Sequence, residues 1–278
     1  MVQFTSKDFS YEGETLNGLP HGDGTAIYVN GDKYEGRFEN GLRSGKGKYT
    51  FTNGAVYEGD FVQGAFSGKG VFTYANGDSY KGDFVNYKRH GRGTLTCTNG
   101  EIYEGDFNDN IPHGKGRYLF DNGDIYEGEL NQGSITGFGK LFYSDGDLYE
   151  GEVVNANMHG KGVYRHSSGE VYEGTFVNNQ KHGAGKFTYP DGEYYEGAFE
   201  CNAFCGKGKF NYANGDSYDG YWSASQKHGF GVFRFADGSK FECFFKNDRP
   251  DGEVTFYDRQ GVKTVQTFKD GQLVLEIK

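Results

Sequence analysis

The 278-residue sequence contains only four prolines and no long apolar run. With so little proline and with 17% aromatic residues, its 47 glycines do not indicate collagen or a disordered linker. No stretch of about 18 apolar residues could span a bilayer, and residues 1–10 lack the basic start and apolar core of a signal peptide. The formal net charge of -10 disfavours nucleic acid as a partner, because phosphate binding needs clustered Lys and Arg. We therefore expect a soluble, cytoplasmic protein.

The tripeptide Tyr-Glu-Gly, or a close variant, recurs every 23 residues without an insertion or deletion. Its eleven copies begin at Tyr11, Tyr34, Tyr57, Tyr80, Tyr103, Tyr126, Tyr149, Tyr172, Tyr195, Tyr218 and Phe241. A fixed period of this length is typical of stacked supersecondary units. We therefore expect one elongated repeat domain over residues 11–263, with an N-terminal edge segment at 1–10 and a C-terminal capping strand at 264–278.

Each repeat contains two short stretches that alternate with a period of two, which is the pattern of β-strands. In the third copy, Tyr57 and Phe61 fall on one face and Glu58 on the other. The pair Asn53-Gly54, and similar pairs between the other repeats, predict two-residue hairpin turns. The fold class is therefore all-β: a single-layer antiparallel sheet of β-hairpin repeats with about 22 strands, twisted into a trough on the order of 100 Å long.

Aromatic side chains of successive repeats share one face of the predicted sheet. Phe61, Phe84 and Phe107 occupy one repeat position, and Tyr118 lies on a second strand of the same face. A column of glycines leaves the volume that the rings occupy, so replacing one of these glycines should cost more than its size suggests. Because no second layer covers this face, we expect it to bind an extended or helical segment of a protein partner.

The order Tyr-Glu-Gly-x-Phe, Asn-Gly, His-Gly-x-Gly-x-Phe-x-Tyr and Asn-Gly-Asp at 23-residue spacing resembles the MORN repeat (membrane occupation and recognition nexus) over residues 11 to 271. The resemblance implies a trough-like β-sheet scaffold of the cortical cytoskeleton, cilia and flagella, junctional membranes or sperm structures. It also suggests phosphoinositide binding, although the chain has no basic column. We expect a non-enzymatic scaffold without catalytic residues, metal or cofactor, located in a cilium or flagellum axoneme or at the cell cortex.

Interruptions of the repeat pattern supply the remaining candidate sites. Lys81 replaces the usual acid of the fourth copy, and with Lys88, Arg89 and Arg92 it forms a predicted basic patch for an acidic segment or a weakly bound anionic lipid headgroup. Within the aromatic columns, Cys97, His166 and Asp258 replace rings, and His166 is a candidate partner contact.

Five loop residues are apolar where other repeats are polar: Phe66, Ile111, Ile135, Met158 and Phe204. They predict one of two arrangements, packing on the tyrosine column or contact with a partner.

Histidine and cysteine are spaced unlike metal ligands. Six histidines share one repeat position, yet equivalent residues of successive hairpins lie about 10 Å apart, whereas ligands lie about 2 Å from one ion. We expect these histidines to form turn-stabilising hydrogen bonds instead. The four cysteines occupy four different repeat positions, which indicates reduced thiols; Cys201 and Cys205 are either partly buried thiols or an ion site at a dimer junction. A homodimer through a terminal repeat is also expected if an uncapped sheet edge is present.

Overall fold

The computed structural model of the protein describes residues 2–277, and the side chains of those up to residue 274. Within this range it contains no helix and one 25-stranded antiparallel sheet. Its strands are β1 (Val2–Thr5), β2 (Phe9–Leu16), β3 (Leu19–Tyr28), β4 (Lys33–Glu39), β5 (Leu42–Thr50), β6 (Val56–Val62), β7 (Ala65–Thr73), β8 (Ser79–Val85), β9 (Lys88–Thr96), β10 (Ile102–Asn108), β11 (Ile111–Leu119), β12 (Ile125–Asn131), β13 (Ser134–Phe142), β14 (Leu148–Val154), β15 (Asn157–Arg165), β16 (Val171–Val177), β17 (Gln180–Thr188), β18 (Tyr194–Glu200), β19 (Ala203–Asn211), β20 (Ser217–Ser223), β21 (Gln226–Arg234), β22 (Lys240–Lys246), β23 (Arg249–Tyr257), β24 (Lys263–Lys269) and β25 (Gln272–Ile277). The all-β hairpin-repeat class predicted from the sequence is confirmed.

The chain divides into two compact units, Met1–Gly137 and Phe138–Lys278. In the first unit, neighbouring strands of the series β1 to β12 pair antiparallel in chain order, as β6 does with β7. In the second unit, the strands from β14 to β25 pair in the same way. Each unit is therefore a β-meander built from hairpins of one design.

The hairpins within the repeats, such as β4–β5, β6–β7 and β8–β9, contain a β-bulge that strict alternation does not predict. In β6 and β7, Gly59 lies opposite Gly70, but Phe61 lies opposite Phe66, so β7 has two more residues than β6 between these pairs. The Asp60 side chain fills the gap by accepting a hydrogen bond from the Lys69 amide at 3.1 Å. The bulge re-aims the hairpin end, so that residue 66 and its equivalents lie over the aromatic side chains.

The two-residue hairpin turns that the sequence predicted at the Asn-Gly pairs between repeats are found elsewhere. The two-residue turns lie within the repeats, as at Gln63-Gly64, where both residues have positive φ (48° and 86°). At Asn53-Gly54 only the glycine has positive φ (90°), and its amide bonds to the Phe51 carbonyl at 3.0 Å. Asn53 instead accepts the Ala55 amide through Oδ1 at 3.0 Å, an Asx turn. In this Asn-Gly pair, the asparagine therefore contributes a side-chain acceptor and the glycine contributes a backbone with positive φ.

Tyrosine and glycine form the core together. Tyr57 is fully buried, and its ring lies over the facing pair Gly59 and Gly70, because a Cβ built on either glycine would lie 2.6 Å from Tyr57 Oη. The hydroxyl donates to the Asp60 carbonyl at 2.9 Å. The predicted reason for the glycine column, room for an aromatic ring, is thereby confirmed.

The hairpin of β22 and β23 lacks both parts of this core. Its first strand has Phe241 in place of tyrosine, and the two facing glycines are replaced by Cys243 and Val254. The Phe241 ring stacks on Phe233 at a centroid distance of 5.4 Å. Where the tyrosine is lost, both glycines are lost with it.

Turns within the repeats are also bonded to the hairpin before them. The amide of Gly64 donates to the Arg43 carbonyl at 2.9 Å, and the Tyr87 amide donates to the Phe66 carbonyl at 3.1 Å. These bonds join residues that lie 21 positions apart in the sequence. They connect the ends of neighbouring hairpins in addition to the strand pairing.

Candidate protein-binding groove

We call the side of the sheet that carries Tyr57 and Phe61 the aromatic face, and the side that carries Glu58 and Lys69 the charged face. On the aromatic face, Phe61, Phe84 and Phe107 are buried at 1–3% exposure. Each ring packs edge-on against tyrosines, as Phe84 does against Tyr57 and Tyr80 at centroid distances of 5.1 Å. Of the predicted partner-binding residues, these three therefore form the core and have almost no free surface.

Two of the apolar loop residues, Phe66 and Phe204, pack on the core. Phe66 stacks flat on Tyr57 at 3.9 Å, and Phe204 stacks on Tyr195 at 3.8 Å. Ile135, at the same repeat position, is 9% exposed. Ile111 lies one position earlier in the repeat and is 46% exposed. Of the two arrangements left open by the sequence, packing on the tyrosine column is the one that Phe66 and Phe204 adopt. Ile135 and Met158, at the same repeat position, are buried.

Cations occupy this capping position in other repeats. The Arg43 guanidinium lies 4.8 Å from the Tyr49 ring centroid, and its Nη2 donates to the Gly64 carbonyl at 2.6 Å. In the second unit, Lys181 lies 4.2 Å from the Phe187 ring centroid and Lys227 lies 5.4 Å from that of Tyr218. Such contacts add cation–π attraction to the covering of the ring. The sequence signal for them was a large side chain five residues after a core phenylalanine, as at Arg43 after Phe38 and Lys181 after Phe176. Phe107 and Phe245 are followed at this distance by proline instead.

The predicted basic patch is not one surface. Arg89 faces the aromatic side, 5.3 Å from the Phe107 ring centroid, whereas Lys81 and Arg92 line a groove on the charged face. Lys88 is paired with Asp109 at 2.7 Å, and Arg92 lies 3.7 Å from Asp106. Strand alternation and the bulge send these side chains in different directions, so they do not converge on one headgroup.

The second row of rings on the aromatic face lines a groove in the second unit. Two hollows of about 140 and 360 Å³ adjoin there and share Lys181 and Phe187. Their walls are mostly aromatic, with cations and polar groups at intervals: Tyr164, His166, Glu170, Tyr172, Tyr189, Asn202, Phe204, Phe210, Tyr212, Trp222, Ser225, Lys227 and Asp248. We name this surface the aromatic groove.

His166 lies at one end of the aromatic groove and is half exposed. Its Nε2 is 3.8 Å from Asp147 Oδ2, and its Nδ1 is 3.4 Å from Glu170 Oε2. Burial of Asp147 opposes its ionisation, but hydrogen bonds from Tyr164 and Ser167 outweigh this and lower its pKa. Burial also lowers the pKa of Lys181, against the opposing effect of Glu170. His166 is thus the one predicted contact that the structure places in this groove besides the buried Phe204.

Tyr118, the remaining predicted contact, lies in the first unit. It is half-buried, packs on Phe120 at 4.6 Å and donates to Glu101 Oε2 at 3.0 Å. Burial and then the Glu101 hydrogen bond raise the pKa of Tyr118 to about 12. Its hydroxyl is therefore already engaged within the protein.

The histidine column does not form the predicted turn hydrogen bonds throughout. The Nδ1 atoms of His21 and His159 are buried without a hydrogen-bond partner among the described residues. Cys201 is exposed in a turn, and Cys205 is partly buried on β19. Among residues 2–277, no group of three or more His, Cys, Asp or Glu side chains is arranged to hold a metal ion. The same part of the chain contains no long apolar helix of the kind that crosses a membrane.

These features define a class, the proteins built from antiparallel β-hairpin repeats. The family model of the MORN repeat matches ten consecutive segments, at residues 11–33, 34–56, 57–79, 80–102, 103–125, 126–148, 149–171, 172–194, 195–217 and 218–240. The chain therefore belongs to the MORN repeat family, as its resemblance had indicated. The eleventh copy, at Phe241, keeps the hairpin pairing of β22 and β23 but lies beyond the matched segments.

No curated protein matches the chain in sequence. Among solved structures, the TCP10 domain of Danio rerio CPAP, in complex with a STIL peptide, is 15% identical, with 97% of this chain and 99% of that chain covered and a TM-score of 0.40. The SAS-4 TCP domain of Drosophila melanogaster, in complex with a proline-rich motif of Ana2, is 13% identical, with 64% and 90% covered and a TM-score of 0.38. A virginiamycin B lyase from Staphylococcus aureus is 12% identical, with 94% and 89% covered and a TM-score of 0.15. At these values the likeness carries no inference about function.

Proposed function

We propose that this protein is a non-enzymatic scaffold that binds an extended segment of another protein in the aromatic groove. The observation that carries the proposal is the groove itself, whose rings at Phe187, Tyr189 and Tyr212 are only half-buried although they lie beside a well-packed core. Aromatic side chains that keep free surface are suited to contact with proline, aliphatic or aromatic side chains of a partner.

Two lysines among the rings favour a segment that also carries acidic residues beside them, although Glu170 and Asp248 line the same groove. Lys181 and Lys227 present their ammonium groups among the rings, and their aliphatic stems cover apolar surface. Because burial lowers the pKa of Lys181, its charged form gains from a nearby carboxylate. We therefore expect the bound segment to alternate apolar and acidic side chains.

The cellular setting proposed from the family resemblance is the cytoskeleton, at a cilium, flagellum or the cell cortex. Within each unit the hairpin design is repeated, which suits a protein that holds partners at fixed spacings. We also propose that a homodimer forms through a terminal repeat, since β25 pairs only with β24 among the described strands. A fluorescent fusion imaged together with axonemal tubulin in ciliated cells tests the location, and diffuse fluorescence in those cells would refute it.

Groove binding is tested with a double variant, Tyr189→Ser/Tyr212→Ser, and a matched control, Tyr74→Ser. All three tyrosines occupy one repeat position, and the chain itself has Cys97 and His166 there, so the fold accepts side chains other than tyrosine. Proteins captured from a ciliated-cell extract by wild type are then purified and titrated against each variant. Loss of two ring contacts of about 1 kcal/mol each should weaken binding at least about 10-fold.

The control variant should bind as wild type does, because Tyr74 lies outside the aromatic groove. Circular dichroism of all variants establishes that the sheet is intact. Equal affinity of wild type and the groove variant, with both folded, would refute the proposal, and so would the failure of wild type to capture any protein.

A further inference from the structure

The charged face carries a cross-strand ion pair at one repeat position of the first unit. Lys46 pairs with Asp60 at 2.8 Å, and Lys69 pairs with Asp83 at 2.7 Å. The two residues of each pair face each other in the strand register. This position is thus occupied by solvated charge in the first half of the chain.

Near the end of the second unit, both residues of the equivalent pair are aromatic. Phe230 faces Phe244 in the register, and the ring centroids lie 5.7 Å apart. The two side chains are 43% and 62% exposed. Tyr221, one repeat before Phe244, is 52% exposed and lies beside Gly229, where a built Cβ would be 3.4 Å from Tyr221 Cβ. Phe230 and Phe244 therefore form an exposed pair of rings on the charged face, and Tyr221 is exposed nearby.

The fold does not need aromatic residues at this position. Another repeat has the small pair Ala184 and Ala198 there, and the first unit has Lys46 and Asp60. Exposed aromatic surface gains free energy when it is covered, by about 25 cal/mol per Å² of area removed from water. Adjacent exposed rings are accordingly a mark of an interaction site rather than of sheet stability.

The charges around the rings indicate what covers them. Phe230 and Phe244 line a hollow of about 700 Å³ in which Glu242, Asp251 and Glu253 outnumber Lys246. Glu242 accepts a hydrogen bond from the Tyr257 hydroxyl at 2.8 Å and forms an ion pair with Lys240 at 3.8 Å. Glu253 forms no ion pair among the described residues. The hollow thus joins an apolar floor to a surplus of negative charge.

We propose that this hollow, lined by Phe230, Phe244 and Glu253, binds a segment of another protein that presents a large apolar side chain next to Lys or Arg. The apolar side chain covers the two rings, and the cation meets the acidic rim. The site lies on the face opposite the aromatic groove and prefers the opposite charge, so it is independent of the function proposed above.

Peptide selection tests the proposal without a known partner. A random dodecapeptide phage library is selected on the wild-type protein and counter-selected on Phe230→Lys/Phe244→Asp, which rebuilds the ion pair that the first unit already carries. Phe230→Ala/Phe244→Ala, which copies the pair Ala184 and Ala198, is the second variant and keeps the test valid if the first misfolds. We expect enriched peptides in which an aromatic or large aliphatic residue is next to Lys or Arg.

The best peptide is then titrated against each variant by fluorescence anisotropy. Its affinity should fall at least about 10-fold in both double variants, fall by a smaller factor in Glu253→Gln, and change less than about 2-fold in Tyr189→Ser/Tyr212→Ser. No enrichment, enrichment of acidic peptides, or undiminished binding to both variants would overturn the proposal. A concentration-dependent dimer in sedimentation that both variants abolish would also overturn it, since a second copy would then be the occupant.

Discussion

Replacing Gly70 with alanine should destabilise the third repeat by much more than one methyl group suggests. The new Cβ would lie 2.6–2.7 Å from three atoms of the Tyr57 side chain, so the ring would have to move. Moving it weakens the hydrogen bond to Asp60, worth about 1 kcal/mol, and the edge-on contacts with Phe61 and Phe84, worth about 0.5–1.5 kcal/mol each. The total loss is about 2–4 kcal/mol.

Native-state hydrogen exchange with mass spectrometry measures this loss locally, which suits a repeat array whose unfolding need not be two-state. A loss of about 3 kcal/mol should speed exchange of amides in residues 56–73 about 100-fold. Gly64→Asn is the control, because Asn110 and Asn179 occupy the same turn position with φ of 75° and 66°.

A double-mutant cycle decides whether the ring is the cause. Tyr57→Leu removes the atoms that the new methyl group would meet, so Gly70→Ala should cost less than about 1 kcal/mol in that background. If Gly70→Ala is as costly without the ring as with it, or if it is neutral in the wild type, the account of the tyrosine and glycine core is wrong.

Burial of Asp32 opposes its ionisation, but hydrogen bonds from the Thr52 amide and Tyr49 Oη outweigh burial and lower the pKa of Asp32. The contribution of Asp32 to stability is therefore present above about pH 4 and is lost as the pH falls through the lowered value. Asp32→Asn should therefore flatten the acid limb of the urea-unfolding free energy, and an unchanged limb would contradict this. Burial, and then the Asp32 hydrogen bond, raise the pKa of Tyr49 to about 12. The urea-unfolding free energy should therefore fall as the pH rises from about 10 to 12, and it should fall less steeply in Tyr49→Phe. Tyrosinate absorbance follows the ionisation over the same range. Burial raises the pKa of Cys243 to about 12, so a thiol reagent at about pH 8 should label exposed Cys201 and spare Cys243, as peptide mass spectrometry can check; equal labelling would show that the core opens.

The strands and the aromatic face followed from the sequence because a period of two, repeated at one phase, leaves little choice of fold. The bulge could not be predicted in this way, because strict alternation from Tyr57 onward assumes that both strands contain equal numbers of residues between facing pairs. Phe66 was ambiguous for the same reason: only the bulge shows that its ring lies over Tyr57.

The candidate sites were harder to predict than the fold. Lys81 and Arg89 are near each other in sequence, yet one lies on the charged face and the other against the Phe107 ring. Phe230 and Phe244 were missed because aromatic residues in an aromatic-rich repeat are readily assigned to the core. Comparing each repeat position separately, rather than each residue type, would have found them where Lys46 and Asp60 stand in the first unit.

The bonds that join turns within the repeats to the preceding hairpin can form in the order in which the chain is synthesised. The Gly64 amide finds its acceptor at Arg43, and the Tyr87 amide finds its acceptor at Phe66, in chain that has already been synthesised. At about 5–20 residues per second, the ribosome delivers one 23-residue hairpin in about 1–5 s, whereas a hairpin forms in about 1–10 μs. Within each unit the nascent protein can therefore be completely folded up to its newest hairpin, with one exposed edge that the next hairpin covers.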